Sequence, residues 1–225
     1  MSYLIPIIIG YLSGSINPAA LIGKIKKVNL RKSGTGNLGA TNTALMLGKR
    51  LGFAVMIFDI FKSAAAVTVS KLIFPAGAEI SGLLAGSAAV IGHMHPFYMK
   101  FKGGKGLAAY GGLVLAYDPI IFLILFVVGM ACMLIFNYCV ALTTSAALLF
   151  PVAVFFKCYA TPHAAISTAT AAIISVWLII RHKDNIICAI RRQEPTTEFF
   201  FRKLFGKALN KSTCEPEATR QKDRV

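Results

Sequence analysis

Charged residues are scarce in this sequence, and acidic ones are scarcest. Only 9 of the 225 residues are Asp or Glu, and charged residues of both signs make up 15%. Soluble domains are typically about half apolar and about a quarter charged. This chain is 56% hydrophobic, with a mean hydropathy of +0.67. The shortage of charge excludes an ordinary soluble domain, and the excess of apolar residues predicts a protein embedded in a bilayer.

The patterns of several chemical sites are also absent. The five cysteines form no CxxC pair and show no metal-ligand spacing. His93 and His95 have no third ligand at a useful spacing, so we expect neither a metal nor a cofactor. The GxxxxGK[ST] spacing of a P-loop is missing, and nothing resembles a Ser-His-Asp triad. These absences argue against a metal site, a P-loop nucleotide site and a Ser-His-Asp mechanism.

Long apolar runs predict membrane spans. A bilayer core of about 30 Å needs about 20 helical residues to cross it. Seven segments reach or approach that length: 3–22, 51–74, 80–97, 104–117, 119–136, 139–156 and 164–180. We predict an all-α fold, a polytopic membrane helix bundle of about seven transmembrane helices in residues 1–194. Residues 195–225 are expected to form a basic cytoplasmic tail, partly disordered.

The positions of the cations predict the orientation. Residues 24–50, 100–105 and 181–225 contain seven, three and eleven of the 24 Lys and Arg residues. Loops rich in Lys and Arg remain in the cytoplasm, so an N-out/C-in topology puts all three basic segments on the correct side. The same distribution explains the net charge of +15 without a nucleic-acid partner, and none is expected.

The first basic loop contains the glycine-rich stretch Ser33-Gly-Thr-Gly-Asn-Leu-Gly-Ala-Thr-Asn42. Its glycines allow a ligand to approach the backbone closely, and short polar side chains surround them. Such a run before a helix is typical of an anion-binding site. The candidate binding residues are Ser33, Thr35, Gly36, Asn37, Thr41 and Asn42. The alternative is a flexible connector between two spans.

The second basic loop is Phe101-Lys-Gly-Gly-Lys-Gly106. We expect its glycines to leave backbone N–H groups available, while Lys102 and Lys105 supply positive charge. A helix that begins here directs its positive dipole end at the same point. The loop therefore predicts a phosphate or acyl-phosphate site formed by Lys102, Gly103, Gly104, Lys105 and Gly106. The alternative is a basic topology anchor with helix-breaking glycines.

Two further polar pairs lie near the ends of spans or inside them. His182 and Asn185 are three residues apart, so on a continuing helix they share a face. His182 is a candidate to donate to phosphate oxygens or to accept a hydroxyl proton; the alternative is a polar helix end. Asp59 and Lys62 are costly in lipid, so we expect them to pair inside the bundle, with a structural role favoured over catalysis.

Taken together, these motifs resemble those of the bacterial acyl-phosphate-dependent glycerol-3-phosphate acyltransferases, a seven-span membrane family. The resemblance rests on residues 33–42, Asp59-Ile-Phe-Lys62, residues 92–106 and residues 181–186. It implies transfer of a fatty acyl group from acyl phosphate to the 1-hydroxyl of sn-glycerol 3-phosphate, which yields lysophosphatidic acid and phosphate.

The resemblance also implies roles for the candidate residues. The two glycine loops would hold the two phosphates. Lys105, His182 and Asn185 would be the catalytic residues, with His182 and Asn185 facing the glycerol phosphate. The acyl chain would lie in a groove open to membrane lipids. The protein would be located in the bacterial inner membrane, with its site at the cytoplasmic face.

The sequence departs from the family pattern on the acceptor side. Leu45 stands where the family usually has an Arg, and Val140 and Cys188 replace a Ser and part of a basic pair. An Arg that holds a phosphate contributes about 2–3 kcal/mol. Two alternatives therefore stay open: a divergent member with another acceptor or low activity, and a transporter of phosphorylated metabolites.

Overall fold

Residues 3–193 are described by a computed structural model, and every element in this part of the chain is helical. An all-α bundle was predicted and is confirmed. Short 3-10 turns occur at Pro75–Gly77 and Phe97–Met99. The helices are α1 Leu4–Ser15, α2 Pro18–Ile25, α3 Ala40–Leu47, α4 Lys49–Ile73, α5 Ala78–Met94, α6 Leu107–Tyr117, α7 Pro119–Phe136, α8 Cys139–Cys158, α9 Ala164–Arg181 and α10 Lys183–Ile190.

A break divides the first predicted span into two helices. Pro18 begins α2 and has no N–H to continue the hydrogen-bond ladder from α1. Asn17 caps α2 by accepting a hydrogen bond from the Ala20 N–H at 2.8 Å. The span predicted over residues 3–22 is therefore formed by two helices rather than by one continuous helix. The kink leaves the Ile16 carbonyl oxygen accessible to a side chain from α4, as described below.

Five segments within residues 3–193 are long and apolar enough to cross a membrane, counting α1 and α2 together. The others are α4, α7, α8 and α9. Helix α5 has 17 residues and α6 has 11. Eleven helical residues rise only about 16 Å, roughly half of a bilayer core. Gly104 and Gly106, just before α6, are buried, as expected if protein rather than lipid surrounds that backbone. Seven spans remain a prediction.

Close helix packing depends on glycines at particular contacts. A Cβ atom on Gly10 or Gly14 of α1 would lie 1.9 Å from the carbonyl oxygen of Ala85 or Ala89 on α5. On α6, a Cβ atom on Gly112 would lie 2.1 Å from the Ile60 carbonyl oxygen of α4. Such small residues let membrane helices approach until their backbones touch. Helices α1, α4, α5 and α6 thus form the tightly packed centre of the bundle.

The largest apolar cluster joins α4, α5 and α6 to α8 and α9, with Tyr110, Leu113, Phe150, Ile174 and Leu178 among its members. Helix α7 is different, because it buries only three residues, Leu125, Gly129 and Met133. Large apolar side chains cover the rest of its surface. This helix therefore lies at the rim of the bundle, as expected for a helix that faces lipid.

Gly112→Ala is expected to destabilise the protein strongly, whereas Gly111→Ala on the same helix is expected to have little effect. The Gly112 Cβ atom would collide with backbone, but a Cβ atom on Gly111 would meet only a Phe122 ring carbon at 3.8 Å. Overpacking of this kind costs about 1–3 kcal/mol. Thermal unfolding in detergent measures the difference, and equal melting temperatures would contradict the packing described for α4 and α6.

Candidate active site

The first glycine loop is organised around the buried side chain of Asn42. Its amide nitrogen donates to the carbonyl oxygens of Leu30 at 2.8 Å and Ser33 at 3.1 Å, and its oxygen accepts from the Thr35 N–H at 2.8 Å. Gly34 and Gly36 have φ values of +63° and +71°, a conformation that favours glycine. Asn42 is predicted to bind a ligand. In the structure, its side-chain amide is hydrogen-bonded to the backbone of its own loop.

The second glycine loop packs directly on the carboxyl end of α5. The Gly103 N–H donates to the Met94 carbonyl oxygen at 2.9 Å, and the Gly104 N–H donates to the His93 carbonyl oxygen at 3.1 Å. These two N–H groups, which we expected to face a ligand, therefore cap α5. Glycine is needed here for space, because a Cβ atom on Gly103 would lie 2.0 Å from the His93 carbonyl oxygen.

Lys105 connects the second loop to the segment that follows α9. Its Nζ atom donates to the Asn185 side-chain oxygen. The neighbouring Arg181 donates through Nη2 to the Gly104 carbonyl oxygen at 3.1 Å. The predicted catalytic residues Lys105 and Asn185 therefore touch, although they are 80 positions apart. His182 lies between Arg181 and α10, close enough for Lys105 to influence its charge.

His182 is held as a neutral imidazole. Its ring Nδ1 lies 2.9 Å from the Leu178 carbonyl oxygen, so we assign the proton to Nδ1 and the lone pair to Nε2. Burial lowers the pKa of His182 to about 4, and the positive charges of Lys105 and Arg181 act in the same direction. The turn at this residue ends α9 and begins α10 at Lys183. His182 and Asn185 therefore do not lie on one continuing helix, which was the condition for them to share a helix face.

This buried histidine predicts a pH dependence of stability. Between its unfolded pKa near 6.5 and its folded pKa of about 4, the unfolded chain binds a proton that the folded chain does not. His182 therefore lowers stability as the pH falls through that interval. Wild type is expected to lose more thermal stability than His182→Gln between pH 7.5 and pH 5. An equal loss in the two proteins would contradict the assignment.

Two hydrogen bonds join the first loop to its surroundings. Arg31 donates through Nη2 to the Lys102 carbonyl oxygen in the second loop. Asn17, the cap of α2, donates through its amide nitrogen to the Leu38 carbonyl oxygen at 3.4 Å. That same carbonyl oxygen lies 2.8 Å from the position of a Cβ atom on Gly104. The two glycine loops thus meet between Leu38 and Gly104.

A buried cluster of three ionisable side chains lies next to the point where the two glycine loops meet. Lys62 Nζ lies 2.7 Å from Asp59 Oδ1, as the predicted pair requires. His93 Nδ1 is 3.0 Å from Lys62 Nζ and 3.2 Å from Asp59 Oδ1. Lys62 Nζ also donates to the Ile16 carbonyl oxygen at 2.6 Å. The cluster therefore connects α4, α5 and the break between α1 and α2.

His95 has a structural position. Its Nδ1 lies 2.9 Å from the Phe101 carbonyl oxygen, and its Nε2 accepts from the indole N–H of Trp177 at 3.0 Å. Tyr11 donates through its hydroxyl to the His95 carbonyl oxygen at 2.9 Å. This histidine fastens the second loop to α9. Among residues 3–193, no three His, Cys, Asp or Glu side chains come close enough to hold a metal ion.

The predicted residues fall into two groups. Lys105, Asn185, His182, Gly103, Gly104 and Gly106 lie together around the second loop. The side chains of Lys102, Thr35 and Thr41 are exposed, while Ser33, Gly36 and Asn37 are partly exposed on the first loop. Sequence reasoning missed Arg31, Asn17 and the loop-supporting position of His93. The one signal for His93 was its place just before the loop.

Three comparisons with known proteins agree. The protein-family model described as glycerol-3-phosphate acyltransferase matches residues 4–192. A glycerol-3-phosphate acyltransferase of Geobacillus kaustophilus is 35% identical over 194 residues, which cover 86% of this chain and 95% of the relative. One from Staphylococcus haemolyticus is 34% identical and covers 87% of this chain and 98% of its own length.

Solved structures give the same result. A crystal structure of PlsY (YgiH), an integral membrane glycerol 3-phosphate acyltransferase in its glycerol 3-phosphate form, superposes with a TM-score of 0.76 at 31% identity. The superposition covers 87% of this chain and 96% of the PlsY chain. The lysophosphatidic acid form of PlsY gives a TM-score of 0.71 at 30% identity. This chain is a multi-pass membrane protein, and it belongs to the glycerol-3-phosphate acyltransferase family.

Proposed function

We propose that this protein transfers a fatty acyl group from acyl phosphate to the 1-hydroxyl of sn-glycerol 3-phosphate, releasing lysophosphatidic acid and inorganic phosphate. The observation that carries the proposal is the contact between Lys105 and Asn185 beside the neutral imidazole of His182. It brings a cation, an amide and a proton acceptor together at one end of the bundle. Family membership, and the glycerol 3-phosphate form of the PlsY neighbour, support this acceptor.

The donor phosphate is assigned to Lys105 and the amino terminus of α6. The first N–H groups of any helix have no acceptor within the helix, and the dipole adds positive potential there. At α6 these groups belong to Leu107, Ala108 and Ala109, directly after the second loop. The expected anion site therefore moves from the N–H groups of Gly103 and Gly104, which cap α5, to the start of α6.

In the chemical step, the acceptor hydroxyl oxygen forms a bond to the acyl carbon while the bond from that carbon to the phosphate oxygen breaks. Phosphate leaves with the electron pair, and Lys105 stabilises the developing charge. The hydroxyl proton must be accepted. His182 is neutral, and its Nε2 carries the lone pair, so we assign it to the acceptor hydroxyl rather than to a phosphate oxygen. Asn185 orients Lys105 through their contact.

The cytoplasmic face of the bacterial inner membrane is the proposed location of this site. Supporting this assignment, Arg31, Lys102, Lys105 and Arg181 come from all three basic segments and meet at one end of the bundle. A different cluster lies at the end of α6 and α8, where Lys157 pairs with Asp118 at 2.6 Å. We retain the N-out/C-in topology with a domain over residues 1–194. The proposed tail over residues 195–225 lies outside the described residues.

The decisive experiment assays purified protein with acyl phosphate and glycerol 3-phosphate. Lysophosphatidic acid and inorganic phosphate are expected in equal amounts. If high enzyme concentration yields no lysophosphatidic acid, the proposal is wrong. Proteoliposomes that contain the protein but no acyl donor test the transporter alternative. Uptake of labelled glycerol phosphate into these vesicles would favour a transporter.

Leu45→Arg tests whether the acceptor site has diverged. Leu45 lies on α3, partly exposed and one turn after Asn42. If glycerol 3-phosphate is the native acceptor, the variant is expected to change its KM by no more than about 3-fold, because the native site already compensates for the missing charge-assisted contact. A decrease in KM of ten-fold or more, about 1.4 kcal/mol, would favour another native acceptor.

A further inference from the structure

The buried cluster of Asp59, Lys62 and His93 has a defined hydrogen-bonding arrangement. An ammonium group has three protons. Lys62 Nζ donates to the Ile16 carbonyl oxygen at 2.6 Å, and it lies 2.7 Å from Asp59 Oδ1, its ion-pair partner, and 3.0 Å from His93 Nδ1. With Nδ1 accepting from the ammonium, the imidazole proton lies on Nε2. We therefore assign an Nε2–H tautomer to His93.

The Nε2 side of this imidazole faces the second glycine loop. A Cβ atom built on Gly104 would lie 2.2 Å from His93 Nε2, so the ring lies against the Gly104 backbone. The next residue, Lys105, makes the contact with Asn185. His93 therefore supports the loop immediately before the residue assigned to the donor phosphate.

The same cluster also reaches the first glycine loop. Lys62 holds the Ile16 carbonyl oxygen, and the next residue, Asn17, holds the Leu38 carbonyl oxygen. Leu38 meets Gly104 where the two loops come together. One ammonium group is thus connected to both loops of the site, through His93 on one side and through Ile16 and Asn17 on the other.

We propose that the Asp59–Lys62–His93 cluster is a positioning device that fixes the second loop relative to the first, with His93 as the positioning residue for Lys105. This inference rests on the proposed acyl transfer. Stability alone does not account for the cluster, because well-packed apolar residues often replace a buried ion pair at no loss of stability. Ionisable groups inside spanning helices are costly and are typical of functional sites.

Two substitutions at one position separate positioning from stability. In His93→Asn, the side-chain amide takes the position of Nδ1 and keeps the contact with Lys62, but a cavity remains beside the Gly104 backbone. In His93→Gln, the longer side chain takes the position of Nε2 and supports the second loop, but the contact with Lys62 is lost. We expect His93→Asn to lower kcat/KM about 10- to 100-fold with a melting temperature near that of wild type. His93→Gln should retain more of the wild-type kcat/KM than His93→Asn does, although it melts at a lower temperature.

Leu83→Ala is the matched control, because Leu83 is buried in the same helix but belongs to the apolar core. It should lower the melting temperature while kcat/KM, measured well below unfolding, stays unchanged. Lys62→Gln gives a second route if His93→Asn does not fold. It should lower kcat/KM at least ten-fold more than Leu83→Ala does.

The outcomes are distinguishable. Wild type that makes no lysophosphatidic acid overturns the proposed function itself. Active wild type with His93→Asn and Lys62→Gln at wild-type kcat/KM overturns the positioning role alone. The same conclusion follows if the activities of the variants and of Leu83→Ala simply follow their melting temperatures.

Discussion

Lys105→Ala is expected to lower kcat/KM for acyl phosphate about 100- to 1,000-fold, the loss typical of removing one charge-stabilising donor. Lys105 stands two positions before Leu107, the first residue of α6, and its ammonium contacts Asn185. Negative charge develops on the phosphate as the acyl bond breaks, so the stabilisation is greatest in the transition state. The apparent requirement for acyl phosphate should rise as well. Initial rates at varied acyl phosphate concentration, with glycerol 3-phosphate saturating, measure both effects.

Arg192→Ala is the control for Lys105→Ala. Like Lys105, Arg192 is a cation in one of the three basic segments. Unlike Lys105, its side chain is exposed and it lies beyond the end of α10. An exposed surface charge of this kind should change the rate by no more than about 2-fold. Similar losses in the two variants would show that the site lies elsewhere on the basic face.

The membrane helices could be predicted because hydropathy is a sum over many residues. Residues 119–136 and the start of α9 at Ala164 agree with the structure at the predicted positions. The break at Asn17 was missed because the surrounding residues are apolar enough for a continuous span. Its local signal, an Asn directly before Pro18, was present in the sequence.

The sequence indicated some of the residues that lie together in the structure, but not how the loop backbones are used. The contact between Lys105 and Asn185 agrees with the sequence motifs, which assigned both residues to one site. The use of glycine at 103 could not be derived, because the sequence does not show which carbonyl oxygen a loop will meet. The same limit applies to His93, whose partners lie more than thirty positions away on α4.

Gly103→Ala is the second substitution expected to have a large effect. The added Cβ atom would lie 2.0 Å from the His93 carbonyl oxygen and 2.7 Å from a Pro96 ring carbon. Neither atom belongs to a flexible side chain, so the loop must move away from α5. That movement lengthens the hydrogen bonds from Gly103 to Met94 and from Gly104 to His93. We expect kcat/KM to fall about 100-fold, as a displacement of about 1 Å can cause.

The effect of Gly103→Ala should appear in activity more than in stability. The loop lies outside the main apolar cluster, so its displacement leaves the bundle core intact. Gly111→Ala is the control, since it adds the same methyl group to α6, where it meets only a Phe122 ring carbon at 3.8 Å, an ordinary van der Waals distance. It should keep the wild-type rate. If Gly103→Ala also kept the wild-type rate, Lys105 would not need the position that α5 gives the loop, and the start of α6 would lose its assignment as the donor phosphate site.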